Sequence, residues 1–261
     1  MTVKRESVEL DSLFLYNVFM KRRGWITVGV ILIVWMIGGI LVDNSIKLPS
    51  LFDVLVRMKD LMLDSVLYES FGYTLMRSLS GLLVALGCGI VLGLASGLNQ
   101  KFEEYFYPVY LVLKSIPNIS YILIVLIWSS NSFTMRVISF MVMFPVAYEN
   151  VVKGIKSIDS EYLDVLKIYP QGFFDSIFRV YLPLISNYIL ASLTVGIGLT
   201  FKVGIMAEIL GSVSPGVGRQ FQLCRINVDM IGTFAWTLWL IILLAFLELL
   251  MSVLKRRWMN R

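Results

Sequence analysis

Arg77, Lys114 and Glu248 fall inside stretches that otherwise read as lipid-facing, and Lys202 and Glu208 flank the end of another. A charge at the centre of a bilayer costs about 2.5–3.5 kcal/mol on insertion scales, so each needs a compensating role. Two roles are available. An aqueous path would let the charge meet a solute, and a structural pair, such as Lys202 with Glu208, would neutralise it. Arg77 and Glu248 lie near the ends of their expected spans, where long side chains can reach the interface. Lys114 stands three residues before Pro117, which should break its helix. Lys114, Pro117, Asn118, Lys202 and Glu208 are therefore the candidates for a translocation path. Two basic groups at depth would favour an anionic solute, and a neutral heterocycle is the second class if Glu208 neutralises Lys202.

Other chemistry is poorly provided for. The 261 residues contain no His, which removes imidazole-based catalysis and His metal ligands. Cys88 and Cys224 stand alone and form no CxxC. No GxxxxGK[ST] occurs, so the chain brings no P-loop of its own. No catalytic residue, metal site or bound cofactor is expected. The net charge of +5 reflects basic residues gathered at membrane ends.

The elements that must hold these residues are helices in a membrane. The chain is 57% hydrophobic, and several runs reach the roughly 20 apolar residues a span needs. The pattern predicts an all-α protein with six spans, near 25–42, 71–98, 105–128, 133–148, 184–201 and 231–254. The first run lacks a small-residue cleavage site, so it reads as a retained anchor and not a signal peptide. The organisation is then a cytoplasmic segment 1–24, a first span 25–42, an external amphipathic stretch 43–70, a core 71–254 and a basic tail 255–261. Within 51–67, Val54, Leu55, Met58, Leu61 and Met62 alternate with charges, which suits a helix on the membrane surface or one packed on the bundle. With the N-terminus inside, the cytoplasmic face holds Lys4, Arg5, Lys21, Arg22, Arg23, Lys101, Lys153, Lys156, Lys167, Arg179, Lys255, Arg256, Arg257 and Arg261. That excess puts both termini in the cytoplasm. Small residues recur every fourth position at Gly81, Ala85, Gly89, Gly93 and Gly97, and again at Ser192, Gly196, Thr200 and Gly204. Such stripes let helices approach closely in lipid.

One stretch interrupts the apolar pattern. "DVLKIYPQGFFDSIFRVYLPLI", residues 164–185, carries Asp164, Lys167, Asp175 and Arg179 among aromatics. A helix should start near Asp159–Glu161, where the dipole favours negative charge, and run to about Tyr169. Pro170 disfavours its continuation and Gly172 permits a bend. A second amphipathic helix follows from Phe173, and Pro183 suits the first turn of the next span. Two short helices meeting at an angle offer a knob for a partner. A surface helix lying among lipid headgroups is the rival reading.

This stretch resembles the "EAA" cytoplasmic loop of ABC-importer permeases: Glu-Ala-Ala, three residues, Gly, nine residues, Ile-x-Leu-Pro. Asp164, Val165 and Leu166 take the first three places, Pro170 the Gly place, and Val180, Leu182 and Pro183 the end. The alanines are absent and the nearest Gly is two positions late. "SIPNISYILIVLIWSS", "FKVGIMAEILGSVSPGVG" and "FAWTLWLIILL" are similar to segments of the nitrate/sulfonate/taurine branch of that family. The resemblance covers roughly residues 70–258.

It implies the type I importer fold, with cytoplasmic coupling helices at 157–181 between spans four and five. It also implies a prokaryotic inner-membrane location, a second permease copy as a homodimer, an extracytoplasmic solute-binding protein, and separate ATPase subunits that bind ATP and Mg. Glu161, Asp164, Lys167, Pro170, Gly172, Phe173, Phe174 and Arg179 would then form the ATPase-coupling surface, with the two phenylalanines as anchors. The alternative is a secondary transporter that uses the intramembrane charges as an ion relay and leaves 158–183 without a task.

Overall fold

The computed structural model describes residues 24, 26–42, 44–128, 131–169 and 172–259. All regular structure among them is helical. Twelve helices follow in order: α1 Ile26–Val42, then α2 Leu51–Leu63, α3 Ser65–Leu98, α4 Gln100–Ser115, α5 Asn118–Trp128, α6 Asn131–Lys156, α7 Ser160–Ile168, α8 Phe173–Ser176, α9 Leu182–Leu184, α10 Ser186–Gly211, α11 Val217–Ile226 and α12 Met230–Met259. A π-helical turn, Ile177–Tyr181, joins α8 to α9.

The chain divides into two compact units. The smaller comprises residues 1–60 and 224–235. In it the Trp35 indole donates to the Pro49 carbonyl at 3.0 Å, and its ring lies 5.2 Å from that of Phe234. Ser50 begins α2 with a reciprocal cap: its hydroxyl accepts from the Asp53 N–H at 3.1 Å and donates to the Asp53 carboxylate at 2.7 Å. Val54 and Leu61 are buried on α2 while Leu55 and Met62 stay exposed, so one edge of this helix is packed. It stops at Leu63. Asp64 then caps α3 by accepting from the Val66 N–H, which starts the second span before the expected Phe71. Cys224 is a free, buried thiol. Burial, and then the Asp229 carboxylate, push its pKa up.

The larger unit holds the membrane-crossing elements. Four of its described helices are long and apolar enough to cross a bilayer: α3, α6, α10 and α12. Helices α4 and α5 form a fifth, bent crossing, turned by 94° at their junction. The break falls at Ile116–Pro117, where the Ile116 N–H still reaches the Val112 carbonyl and Pro117 opens the next helix. Helix α1 is an apolar segment of 17 residues, shorter than these.

The glycine stripe of α3 explains its main contact. A Cβ on Gly81 would fall 2.6 Å from Ser139, on Gly89 2.5 Å from Ala147, on Gly93 2.8 Å from Val151, and on Gly97 2.7 Å from Ile155. Real Cβ atoms do not approach that closely, so only Gly lets α3 and α6 meet here. Each α6 neighbour also lies a constant 58 positions later in sequence. The two helices therefore run parallel, in register, over four turns.

Parallel helices need a return crossing between them, and α4–α5 supplies it. Lys156 bridges Glu103 at 2.6 Å at one end of α6. Tyr121 and Ile122 of α5 pack with Ile138, Val203 and Ala207 towards the other. Helix α10 runs antiparallel to α6, with Gly196 against Met143 and Gly204 against Met135. Ser78, Ser139 and Thr200 are buried at this three-helix seam without hydrogen-bond partners. Their small size, more than their bonding, is what the packing uses. Trp236 of α12 lies edge-on to Phe71 of α3 at 6.0 Å, and few residues of the α12 crossing are fully buried.

The directions fix two ends of this unit. Helices α3, α6 and α12 all finish at the end that carries the bent segment, and the loop after α10 lies at the opposite end.

Candidate functional site

Between α6 and α10 the described residues hold two helical stretches, α7 and α8, on either side of residues 170–171. Helix α7 places Glu161 in its first turn and ends at Ile168. Asp164 and Lys167 lie on this helix, with side chains outside the described residues, as is Pro170 altogether. Gly172 precedes α8 with φ −59°, a conformation open to any residue. Phe173 and Phe174 meet edge to face at 5.6 Å, and are 68% and 73% exposed. Arg179 is held by Asp175 one turn earlier, at 3.2 Å. The π-helical turn at 177–181 adds a residue to the helical circuit, a local distortion often found at functional sites. Phe173, Phe174 and Ile177 line an apolar groove of about 810 Å³ together with Leu94, Leu98 and Phe102.

The intramembrane charges are paired differently from the sequence expectation. Glu208 does not meet Lys202. It receives the Arg77 guanidinium at 3.1 Å, the Thr74 hydroxyl at 2.9 Å and the Gly218 N–H at 2.9 Å. Arg77 also donates to the Pro215 carbonyl at 2.6 Å, and Thr74 accepts from the Val217 N–H at 3.0 Å. Arg77 is thus buried against α10 and does not reach out to an interface. Gly216 and Gly218 have no room for a side chain, since a Cβ on Gly216 would fall 2.5 Å from the Glu208 carboxylate. Ser212, at φ 51°, turns the chain out of α10, and the ion pair fastens the following loop back onto α3. This loop-fastening role follows from contacts more than 130 residues apart in sequence, which no local pattern signals.

Lys114 sits in the last turn of α4. Its ammonium lies 2.8 Å from Glu149 and 2.9 Å from the Tyr110 hydroxyl. Tyr110 in turn donates to Glu149 at 2.7 Å, and Lys153 reaches the other carboxylate oxygen at 2.7 Å. Glu149, Tyr110 and Lys153 carry no motif that would have marked them in sequence. Asn118 accepts from the Tyr121 hydroxyl at 2.8 Å just after the Pro117 break. Lys202 is exposed and makes no ion pair or hydrogen bond among the described residues. It edges an apolar groove of about 400 Å³ with Ile119, Met206, Phe221, Leu240 and Leu244. Lys114, Lys202 and Glu208 therefore occupy three separate places. Glu248 approaches Gly198 of α10. No group of three potential metal ligands occurs among the described residues.

Comparison with known proteins agrees with this architecture. A protein of Bacillus subtilis (strain 168) named as an aliphatic sulfonates transport permease, SsuC, is 26% identical over 212 residues, covering 78% of this chain and 76% of that protein. The nitrate import permease protein NrtB of Leptolyngbya laminosa is 28% identical over 160 residues, covering 60% of this chain and 56% of its own. The bicarbonate transport system permease protein CmpB of Synechococcus elongatus is 27% identical over 158 residues, again 60% and 56%. Residues 85–260 match the family described as binding-protein-dependent transport system inner membrane component. That stretch includes the return crossing, the bent segment, the fastened loop and α12, so the chain belongs to this family of ABC-importer permeases.

Proposed function

We propose that the chain forms part of the translocation path of an ATP-driven importer for a small anion, and that residues 157–181 dock it onto a separate ATPase subunit. The observation that carries this reading is the bent segment. Its second half packs on α3 and α6 through Ile177, Tyr181 and Leu182, and it leaves Phe173, Phe174 and Phe178 largely exposed at the end where α3, α6 and α12 finish. Large aromatic side chains with few rotors suit the centre of a docking interface. Glu161, Asp164, Lys167 and Arg179 would set its orientation, and Pro170 and Gly172 the angle between its halves.

The same end carries Lys101, Lys153, Lys156, Arg179 and the tail Lys255–Arg257, which supports a cytoplasmic location for it. With α1 as a sixth crossing, both termini would lie there, as in a type I permease. The uncovered face of α12 supports a second permease copy. ATP and Mg would be bound by the ATPase, and an extracytoplasmic binding protein would deliver the solute. The relatives named above are permeases for aliphatic sulfonates, nitrate and bicarbonate. All three are anions, which supports the basic residues Lys114 and Lys202 as path-lining groups, with Pro117 and Asn118 beside Lys114; Glu208, enclosed against Arg77, is a structural residue in this reading.

The test is purification of the tagged chain from its native membrane, followed by reconstitution into vesicles. A P-loop ATPase should co-purify, and uptake of a small anion should require ATP. Uptake driven by an ion gradient with no ATPase bound would favour the secondary-transporter alternative and end this reading.

A further inference from the structure

Glu149 is held in a way that a simple surface ion pair is not. Three donors from two helices converge on its two oxygens. Lys114 and Tyr110 of α4 share Oε2 at 2.8 and 2.7 Å, and Lys153 of α6 takes Oε1 at 2.7 Å. The ring of Tyr110 also lies under the Lys114 ammonium, 5.4 Å from its centroid. The lysine side chains are 50% and 63% exposed and Glu149 is 28% exposed, so the cluster opens outward while its tyrosine is buried. Two ammonium groups face one carboxylate, leaving a surplus positive charge. The neighbouring Lys156 is already matched by Glu103 at 2.6 Å and adds nothing to that surplus.

We propose that Lys114, Lys153 and Tyr110 form an oxyanion-binding site in which Glu149 is a resident, tethered competitor that the transported anion displaces. The donor set is built for the face of an oxyanion. A carboxylate presents two oxygens on one atom, and nitrate, bicarbonate and a sulfonate each present the same pair. When an anion enters, Glu149 can swing outward from α6 and leave two cations and a hydroxyl for the ligand. When the anion leaves, the carboxylate returns, so the lysines are never stranded without a partner. A permeation site must bind well enough to admit a solute and weakly enough to release it. An internal competitor sets that balance. The location adds a consequence, because Lys114 sits immediately before the 94° break. The bonds to Glu149 tie α4 to α6 there, and exchanging them for bonds to a mobile anion loosens that tie.

This inference rests on the anion reading of the function, yet it can fail separately. The purified chain in nanodiscs, without any ATPase, is titrated calorimetrically with sodium nitrate and with sodium ethanesulfonate. Glu149→Gln should bind both at least tenfold more tightly than the unaltered chain. Lys114→Met should abolish the gain when combined with Glu149→Gln. Equal affinity in the Glu149→Gln and unaltered chains, or a gain that survives Lys114→Met, overturns the proposal. Should Glu149→Gln fail to fold, Lys153→Met in the otherwise unaltered chain must weaken binding at least tenfold for the proposal to stand. The importer reading is tested by ATP-driven uptake in reconstituted vesicles. Loss of that uptake with the calorimetric series intact would sink the importer reading and leave this one.

Discussion

The Arg77 guanidinium and the Glu208 carboxylate meet at 3.1 Å in the interior of the bundle, each with its side chain almost fully enclosed. Thr74 and the Gly218 N–H complete the carboxylate's surroundings. Removing one member of a buried pair leaves an uncompensated charge and costs about 3–5 kcal/mol. Arg77→Met and Glu208→Gln should each lower the melting temperature of the purified permease sharply. The double variant Arg77→Met/Glu208→Met should lose much less than the two single losses combined. Strict additivity in thermal melts would show that the two groups act independently.

The glycine stripe makes a contrast within one helix. Gly89→Leu must push into Ala147 and the backbone of Tyr148, whereas Gly87 has nothing within 4 Å of its would-be Cβ. Overpacking of this kind costs about 1–3 kcal/mol. Gly89→Leu should reduce the yield of monodisperse protein and its melting temperature, and Gly87→Leu should change neither. Equal behaviour of the two variants in size-exclusion and melting assays would contradict the tight α3–α6 seam.

Sidedness can be read chemically. In a background with Cys88 and Cys224 replaced by Ala, single cysteines at Ser160 and Ser214 report opposite ends of the larger unit, and both positions are exposed. A membrane-impermeant maleimide on intact cells should label position 214 and spare 160 until the cells are broken. The reverse pattern would invert the proposed orientation.

The docking surface makes a separate prediction. Phe174→Ala and Asp164→Lys should leave the permease inserted and folded while weakening its hold on the ATPase. Truncating a central aromatic anchor costs about 2 kcal/mol or more, roughly a thirtyfold loss of affinity. The measurement is ATPase co-purification together with solute uptake. Normal values for both in both variants would return the segment to the headgroup-helix reading.

Much of the architecture was legible because membrane helices announce themselves locally. Long apolar runs marked the crossings, Pro117 marked the break, and the four-residue spacing of Gly81 to Gly97 marked the face that α6 covers. The bent segment was visible as charge and aromatics where lipid should have been. The pairings were not legible. Glu208 takes Arg77 in place of Lys202 because α10 runs antiparallel to α3 and the loop after it folds back, a relation set by tertiary packing. Glu149 went unnoticed because a single carboxylate near a helix end has an ordinary local context. Only the antiparallel course of α4 brings Lys114 and Tyr110 to it.

The constant offset of 58 positions between the α3 glycines and their α6 neighbours also has a meaning in time. Synthesis proceeds at about 5–20 residues per second, so the stripe on α3 emerges roughly 3–12 seconds before the surface that covers it. During that interval the nascent chain offers the membrane a bare small-residue face that any comparable helix could occupy. The return crossing α4–α5 is made in between, so the α3–α6 seam of this permease cannot close until α6 has followed it.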